Sequence, residues 1–163
     1  MSFEWKGVFP ALLTPFTTGD ELDLPLFEKN LQAQMDAGVH GVILGGSLGE
    51  ASTITAAEKE TLVKHAVKFI AGKIPVIMNI AESTTKDAIQ LAANAKMWGA
   101  AGLMLLPPMR YKADDRETVV YFKAVAPSTD LPIMIYNRPV DYKIDITPDI
   151  FAELQVCKKP GKC

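Results

Sequence analysis

An α/β fold of parallel strands, each followed by a helix, is what this sequence predicts. Short, nearly continuous apolar runs alternate with segments of helical spacing, as strands buried on both faces alternate with the helices that cover them. The runs open at intervals of about 27 to 34 residues, the size of one βα unit with its connection. The units also echo one another: "AGVHGVILGG" (Ala37 to Gly46) returns as "GAAGLMLLPP" (Gly99 to Pro108), and "IPVIMNI" as "LPIMIYN". In each of the first two echoes one glycine ends a helix and a second precedes an apolar strand.

In chain order, the predicted strands are Gly7 to Phe16, Gly41 to Gly45, Pro75 to Ala81, Gly102 to Leu106 and Pro132 to Asn137. The first helix is marked by Leu26, Leu31 and Met35, and the second by Leu62, Val63, Ala66, Phe69 and Ile70. The third and fourth are expected over Thr85 to Trp98 and Arg116 to Ala126. In the fifth, Thr147 caps, Pro148 takes the first position, and Ile150, Phe151 and Leu154 follow at helical spacing. Five such units, with no Gly-x-Gly-x-x-Gly after the first strand, favour a parallel barrel over a doubly wound dinucleotide-binding sheet. A complete (β/α)8 TIM barrel takes ~250 residues. These 163 residues therefore predict an incomplete TIM barrel of about five βα units over residues 1–156. An atypical tail, residues 157–163, is expected to be solvated and disordered. The expected inner face is Leu12, Ile43, Met78, Leu105 and Ile135, and Val8 to Leu13 and Ile133 to Tyr136 are expected to be edges.

Composition narrows the function. A chain that is 48% hydrophobic and 22% charged is globular, with one core. Its net charge of -2, with both signs interspersed, gives no footprint for nucleic acid or an anionic membrane. No apolar run reaches the ~18 residues of a membrane span, and Met1 to Lys6 does not read as a signal peptide. A cytoplasmic location is expected. Cys157 and Cys163 are the only cysteines and read as free thiols, and no cluster of metal-ligand spacing occurs, so neither a metal nor a cofactor is expected.

In barrels of this kind the working residues sit at the carboxyl ends of the strands. Here those ends read Thr14 and Pro15, "GGSLGE", Asn79 to Glu82, "PPMRY" and "YNRP". "GGSLGE" (Gly45 to Glu50) carries three glycines, which allow close backbone approach and present the Ser47 and Leu48 amides to a carboxylate or phosphate. Tyr136 ends an apolar strand, so its hydroxyl needs a polar partner at the rim. His40 and His65 fall on the side away from the strand ends. Met78, Met104 and Met134 read as core filler.

"GVFPALLTPF", "GGSLGEASTIT" followed by the Glu58 helix, "IPVIMNIAESTTKDAI", "WGAAGLMLLPP" and "DLPIMIYNRP" occur in order and at the right intervals. Together, from Gly7 to about Leu154, they resemble the dihydrodipicolinate synthase and N-acetylneuraminate lyase family. The resemblance implies an eight-stranded barrel, usually a homo-oligomer, that holds pyruvate or another 2-oxo acid as a Schiff base on a lysine. It places the oxo-acid carboxylate on the stretch Gly46, Ser47 and Leu48, makes Tyr136 the proton-carrying phenol, and makes Ser47 the first hydroxyl of its relay.

Four positions depart from that pattern. Leu48 stands where many members carry a second hydroxyl. Asp141 stands where the synthases proper carry a carboxylate-binding arginine, with Arg138 as the nearby cation; a carboxylate there would repel an anion. Arg110 stands where a family tyrosine reaches a neighbouring subunit's site, with Tyr111 one place on. The Schiff-base lysine falls, in register, immediately after Cys163, leaving Lys158, Lys159 and Lys162 as the nearest substitutes. Within the resemblance, these departures point to a lyase or dehydratase acting on a sugar acid rather than a lysine-biosynthetic synthase, and with the lysine missing this chain is expected to be inactive alone. A non-catalytic oxo-acid binder, or a chain that associates with other barrel chains, is the alternative. A phosphate-binding barrel enzyme is disfavoured, because that site comes from the loops after strands seven and eight.

Overall fold

A computed structural model describes residues 4–108 and 111–155. Among them, four parallel strands form one sheet in the order β1 (Val42–Leu44), β2 (Val76–Ile80), β3 (Gly102–Leu105) and β4 (Ile133–Ile135). Each strand is paired with its sequence neighbour. That is the order of consecutive βα units, with no reversal in the middle of the sheet.

The helices form where the sequence supplies caps and an apolar stripe. Asp23 accepts from the Leu26 amide to open α1 (Leu24–Asp36), whose Phe27 and Leu31 are buried. A reciprocal Thr55–Glu58 capping box opens α2 (Ala56–Ile70), and Thr84 accepts from the Asp87 amide to open α3 (Thr85–Met97). A second box, Asp114 with Glu117, opens α4 (Asp115–Val125). Thr147 accepts from the Ile150 amide at the start of α6 (Pro148–Gln155). The short helix α5 (Pro139–Tyr142) has no counterpart in the sequence reading.

The first apolar segment differs from expectation. It lies beside β1 and exchanges two bonds with it, Ile43 amide to Pro10 carbonyl and Leu12 amide to Ile43 carbonyl, both 2.9 Å. This makes a single parallel bridge at Ala11, not a regular strand. Pro10 explains one limit, since the next rung toward the amino end would need its missing N–H. Gly45 explains the other: its φ of 65° takes β1 out of the extended region.

The core has two layers. The larger lies between sheet and helices and takes Leu44, Met78, Ile80, Leu103 and Leu105 with Leu62, Leu91 and Phe122. The smaller faces the barrel interior: Ile43, Ile77, Met104 and Leu106, backed by Phe9 and Met134. Of the residues expected on the inner face, Ile43 is there. Leu12, Met78, Leu105 and Ile135 pack on the helix side. Successive strand residues point to opposite faces, so an offset of one residue in reading a nearly all-apolar strand exchanges the two sides.

Candidate active site

The loop after β1 is held from several directions. Gly49 and Ala51 donate to the Gly46 carbonyl, at 2.9 and 3.2 Å, closing a 3-10 turn over Ser47–Gly49. The hydroxyl of buried Thr14 donates to the Gly49 carbonyl at 2.8 Å, and the Asn79 amide nitrogen to the Gly45 carbonyl at 2.7 Å. A β-carbon on Gly49 would meet the Leu12 carbonyl oxygen at 2.7 Å, so the close approach of the two segments requires glycine there. The Ser47 and Leu48 amides open this turn, and neither has an acceptor among the described residues. Two unsatisfied donors at the mouth of a sheet suit an anionic oxygen.

Asn79 was only part of a strand-end segment in the sequence. In the fold it is 2% exposed, and its side chain bridges from β2 to the β1 loop. Because a carbonyl can only accept, the nitrogen must face Gly45 and the oxygen points away; that oxygen has no partner among the described residues.

Tyr136 follows β4, and its amide donates to the Leu105 carbonyl at 2.9 Å, extending the ladder to the rim. Its ring stands edge-on to Tyr142, centroids 6.2 Å apart, and both pack against the interior cluster. The Tyr142 hydroxyl lies 3.4 Å from Ser47 Oγ. Thus α5 brings Tyr142 between the two residues singled out from the sequence. Asn137 steadies the return: its side-chain oxygen accepts from the Ile146 amide at 3.0 Å and its nitrogen donates to Asp145 at 2.9 Å.

Arg138 is exposed, and its Nε lies 2.8 Å from an Asp141 oxygen. Hydrogen bonding to the Tyr136 side chain and, next, the Asp141 charge raise its pKa above the ordinary value. The Asp141 carboxylate is therefore matched by a cation of its own helix turn. Leu48 is 76% exposed, so it offers its amide and no hydroxyl. Arg110 lies outside the described residues, as do Cys157, Cys163 and the tail lysines.

The histidines serve structure. His40 Nδ1 accepts from the Val8 amide at 3.1 Å, and His65 Nε2 lies 2.8 Å from a Glu28 oxygen in the helix layer, off the line of a hydrogen bond. No group of three or more potential metal ligands occurs among the described residues. Nor is any described helix long and apolar enough to cross a membrane. A cleft of about 560 Å³ opens at the amino ends of the strands, beside Ile74, Pro75, Lys96, Asp130 and Pro132. It is remote from Tyr136, Tyr142 and Ser47; of its charged lining residues Lys73, Lys96 and Asp130, the last two are paired to each other at 2.7 Å.

A model of the dihydrodipicolinate synthetase family matches residues 4–160. A 4-hydroxy-tetrahydrodipicolinate synthase of Exiguobacterium sibiricum is 41% identical over 135 residues, covering 83% of this chain and 46% of its own length. The crystal structure of dihydrodipicolinate synthase from Aquifex aeolicus superposes with a TM-score of 0.88 at 34% identity, over 93% of this chain and 51% of that one. An Escherichia coli K12 prophage protein of the dihydrodipicolinic acid synthase family, solved in complex with pyruvate, gives 0.87 at 30% identity, over 93% and 51%. The chain spans about half the length of the relatives it matches.

Proposed function

Because the chain belongs to the dihydrodipicolinate synthetase family, we propose that it carries one half of a 2-oxo-acid lyase site. In this reading the acid's carboxylate sits on the Ser47 and Leu48 amides, with Gly46 allowing the close approach. Tyr136 is the proton carrier of the Schiff-base chemistry. When a lysine amine condenses with a ketone the carbonyl oxygen leaves as water, so a proton must reach it. A phenol at the rim can give and retrieve that proton, with the Arg138 guanidinium beside it. Pyruvate or a pyruvate-like acid is the common ligand. The paired Arg138 and Asp141 offer one donor and one acceptor with little net charge, which suits a hydroxylated substrate tail better than a second carboxylate.

The observation that carries this reading is the pair of unbonded amides above the Gly45–Gly46 turn, on the same rim as two phenols. In this reading Ser47 and Leu48 make the carboxylate cradle and Tyr136 is the phenol, and the resemblance places the Schiff-base lysine after Cys163. Calorimetry with pyruvate, followed by borohydride reduction and mass spectrometry, tests it. Reversible binding without a trapped adduct is expected, and Ser47→Pro, which removes one amide donor, should abolish it. An adduct on Lys158, Lys159 or Lys162 would give this chain catalytic competence of its own. No binding to a folded chain would sink the reading.

A further inference from the structure

We propose, on the 2-oxo-acid reading of this rim, that Tyr142 is a positioning residue of the site: its phenol donates to Ser47 Oγ and so turns the serine's own hydrogen toward the bound carboxylate. The two oxygens lie 3.4 Å apart, and on geometry alone either is the donor. Acidity decides between them. A phenol is far more acidic than an aliphatic hydroxyl, so it is the better donor and serine the better acceptor. Donation into Ser47 also polarises the serine O–H, which strengthens the bond it makes next. Ser47 then meets the carboxylate with amide and hydroxyl together, and Leu48 adds its amide alone.

The placement of Tyr142 is built into the fold rather than left to a mobile side chain. Arg138 carbonyl accepts from the Tyr142 amide at 3.2 Å, and Pro139 starts α5. Lys143 turns the chain back at a φ of 60°, after which Ile144 and Ile146 are buried. The Tyr142 ring packs on the interior cluster with its edge to Tyr136, so the same side chain also fixes the proton carrier's ring. Among the described residues, nothing in the helix layer uses its hydroxyl. Ring and hydroxyl therefore have separable roles: the ring holds Tyr136, and the hydroxyl directs Ser47.

Two variants separate those roles. Tyr142→Phe keeps the ring and removes the donor; it should weaken pyruvate binding about fivefold to tenfold in calorimetry while the thermal midpoint stays within about 2 °C of the native chain. The double variant Ser47→Ala/Tyr142→Phe should bind no more weakly than Ser47→Ala alone, because the phenol acts through the serine. Unchanged affinity in Tyr142→Phe, or losses that simply add, would overturn the assignment. A second readout needs no ligand: with [13Cζ]tyrosine labelling, the Tyr142 resonance should move in Ser47→Ala. If the native chain takes no pyruvate, the reading of the site fails on its own, and this resonance decides the pairing. Movement supports it, and an unmoved resonance removes it.

Discussion

Replacing Lys59 by methionine should cost this fold about 3 kcal/mol, because it leaves a carboxylate stranded under the rim. Lys59 projects from α2 and its Nζ lies 2.6 Å from an oxygen of Glu82, two residues past the end of β2. The two side chains are 9% and 20% exposed, so neither charge is fully hydrated. Tyr121 of α4 reports the same environment: burial, and after it the Glu82 charge, hold its phenol far above the ordinary value. Breaking a buried pair by removing one member typically costs ~3–5 kcal/mol, and the exposure Glu82 retains argues for the lower end of that range. Removing both charges is a different perturbation. Lys59→Met/Glu82→Leu exchanges two desolvated ions for apolar groups and should come within about 1 kcal/mol of the native chain. Urea unfolding followed by circular dichroism at neutral pH measures both, provided that the slopes match. If Lys59→Met alone costs less than about 1 kcal/mol, the pair is solvated and the account is wrong. A double variant as unstable as the single one would be equally damaging, since it would show that lost packing, not the stranded charge, sets the cost.

Four further outcomes follow from the same structure. Tyr121→Phe should be neutral or stabilising at pH 7, because the buried hydroxyl it removes has no partner among the described residues. Its advantage should then grow in urea midpoints above pH ~10: the native phenol resists ionisation that the unfolded chain undergoes, so native stability falls by up to about 1.4 kcal/mol per pH unit there while the phenylalanine variant escapes that loss. Thr55→Ala removes the capping box of α2 and should lower stability by about 1 kcal/mol, read from the same midpoints. Asn79→Ala frees the Gly45 carbonyl inside the fold and should cost about 1–3 kcal/mol; on the proposed 2-oxo-acid reading, calorimetry should also show weaker pyruvate binding as the β1 loop loosens. Val8 and Leu13 are 60% and 58% exposed and β4 is only half-buried, so light scattering after size exclusion should show paired or associating chains; a compact monomer with one sharp thermal transition would contradict this.

The sequence by itself determined the order of elements, the parallel sense of the sheet and the strand ends worth searching. Those features are written locally: Thr55 and Glu58 cap a helix wherever it packs, and a run such as Pro75 to Ala81 is too apolar to lie anywhere but inside. "GGSLGE" and Tyr136 were legible for the same reason, since glycines and a terminal phenol announce a turn and a rim. What only the tertiary structure decided was which groups meet. Tyr142 reaches Ser47 across 95 positions of sequence, carried by a four-residue helix too short for any periodicity to reveal. Asn79 clamps Gly45 across 34 positions, although in the sequence it is one polar residue in an apolar strand. The face that Met78 and Leu105 choose was likewise closed to pattern reading, because a strand apolar on both sides has no polar residues to mark inside from outside. Pro10 made the first strand a single bridge, a consequence that exists only once Gly41 and Ile43 lie beside it. Local signals fix what each segment becomes; contacts between distant segments depend on the packing of the whole sheet, and this rim is made of such contacts.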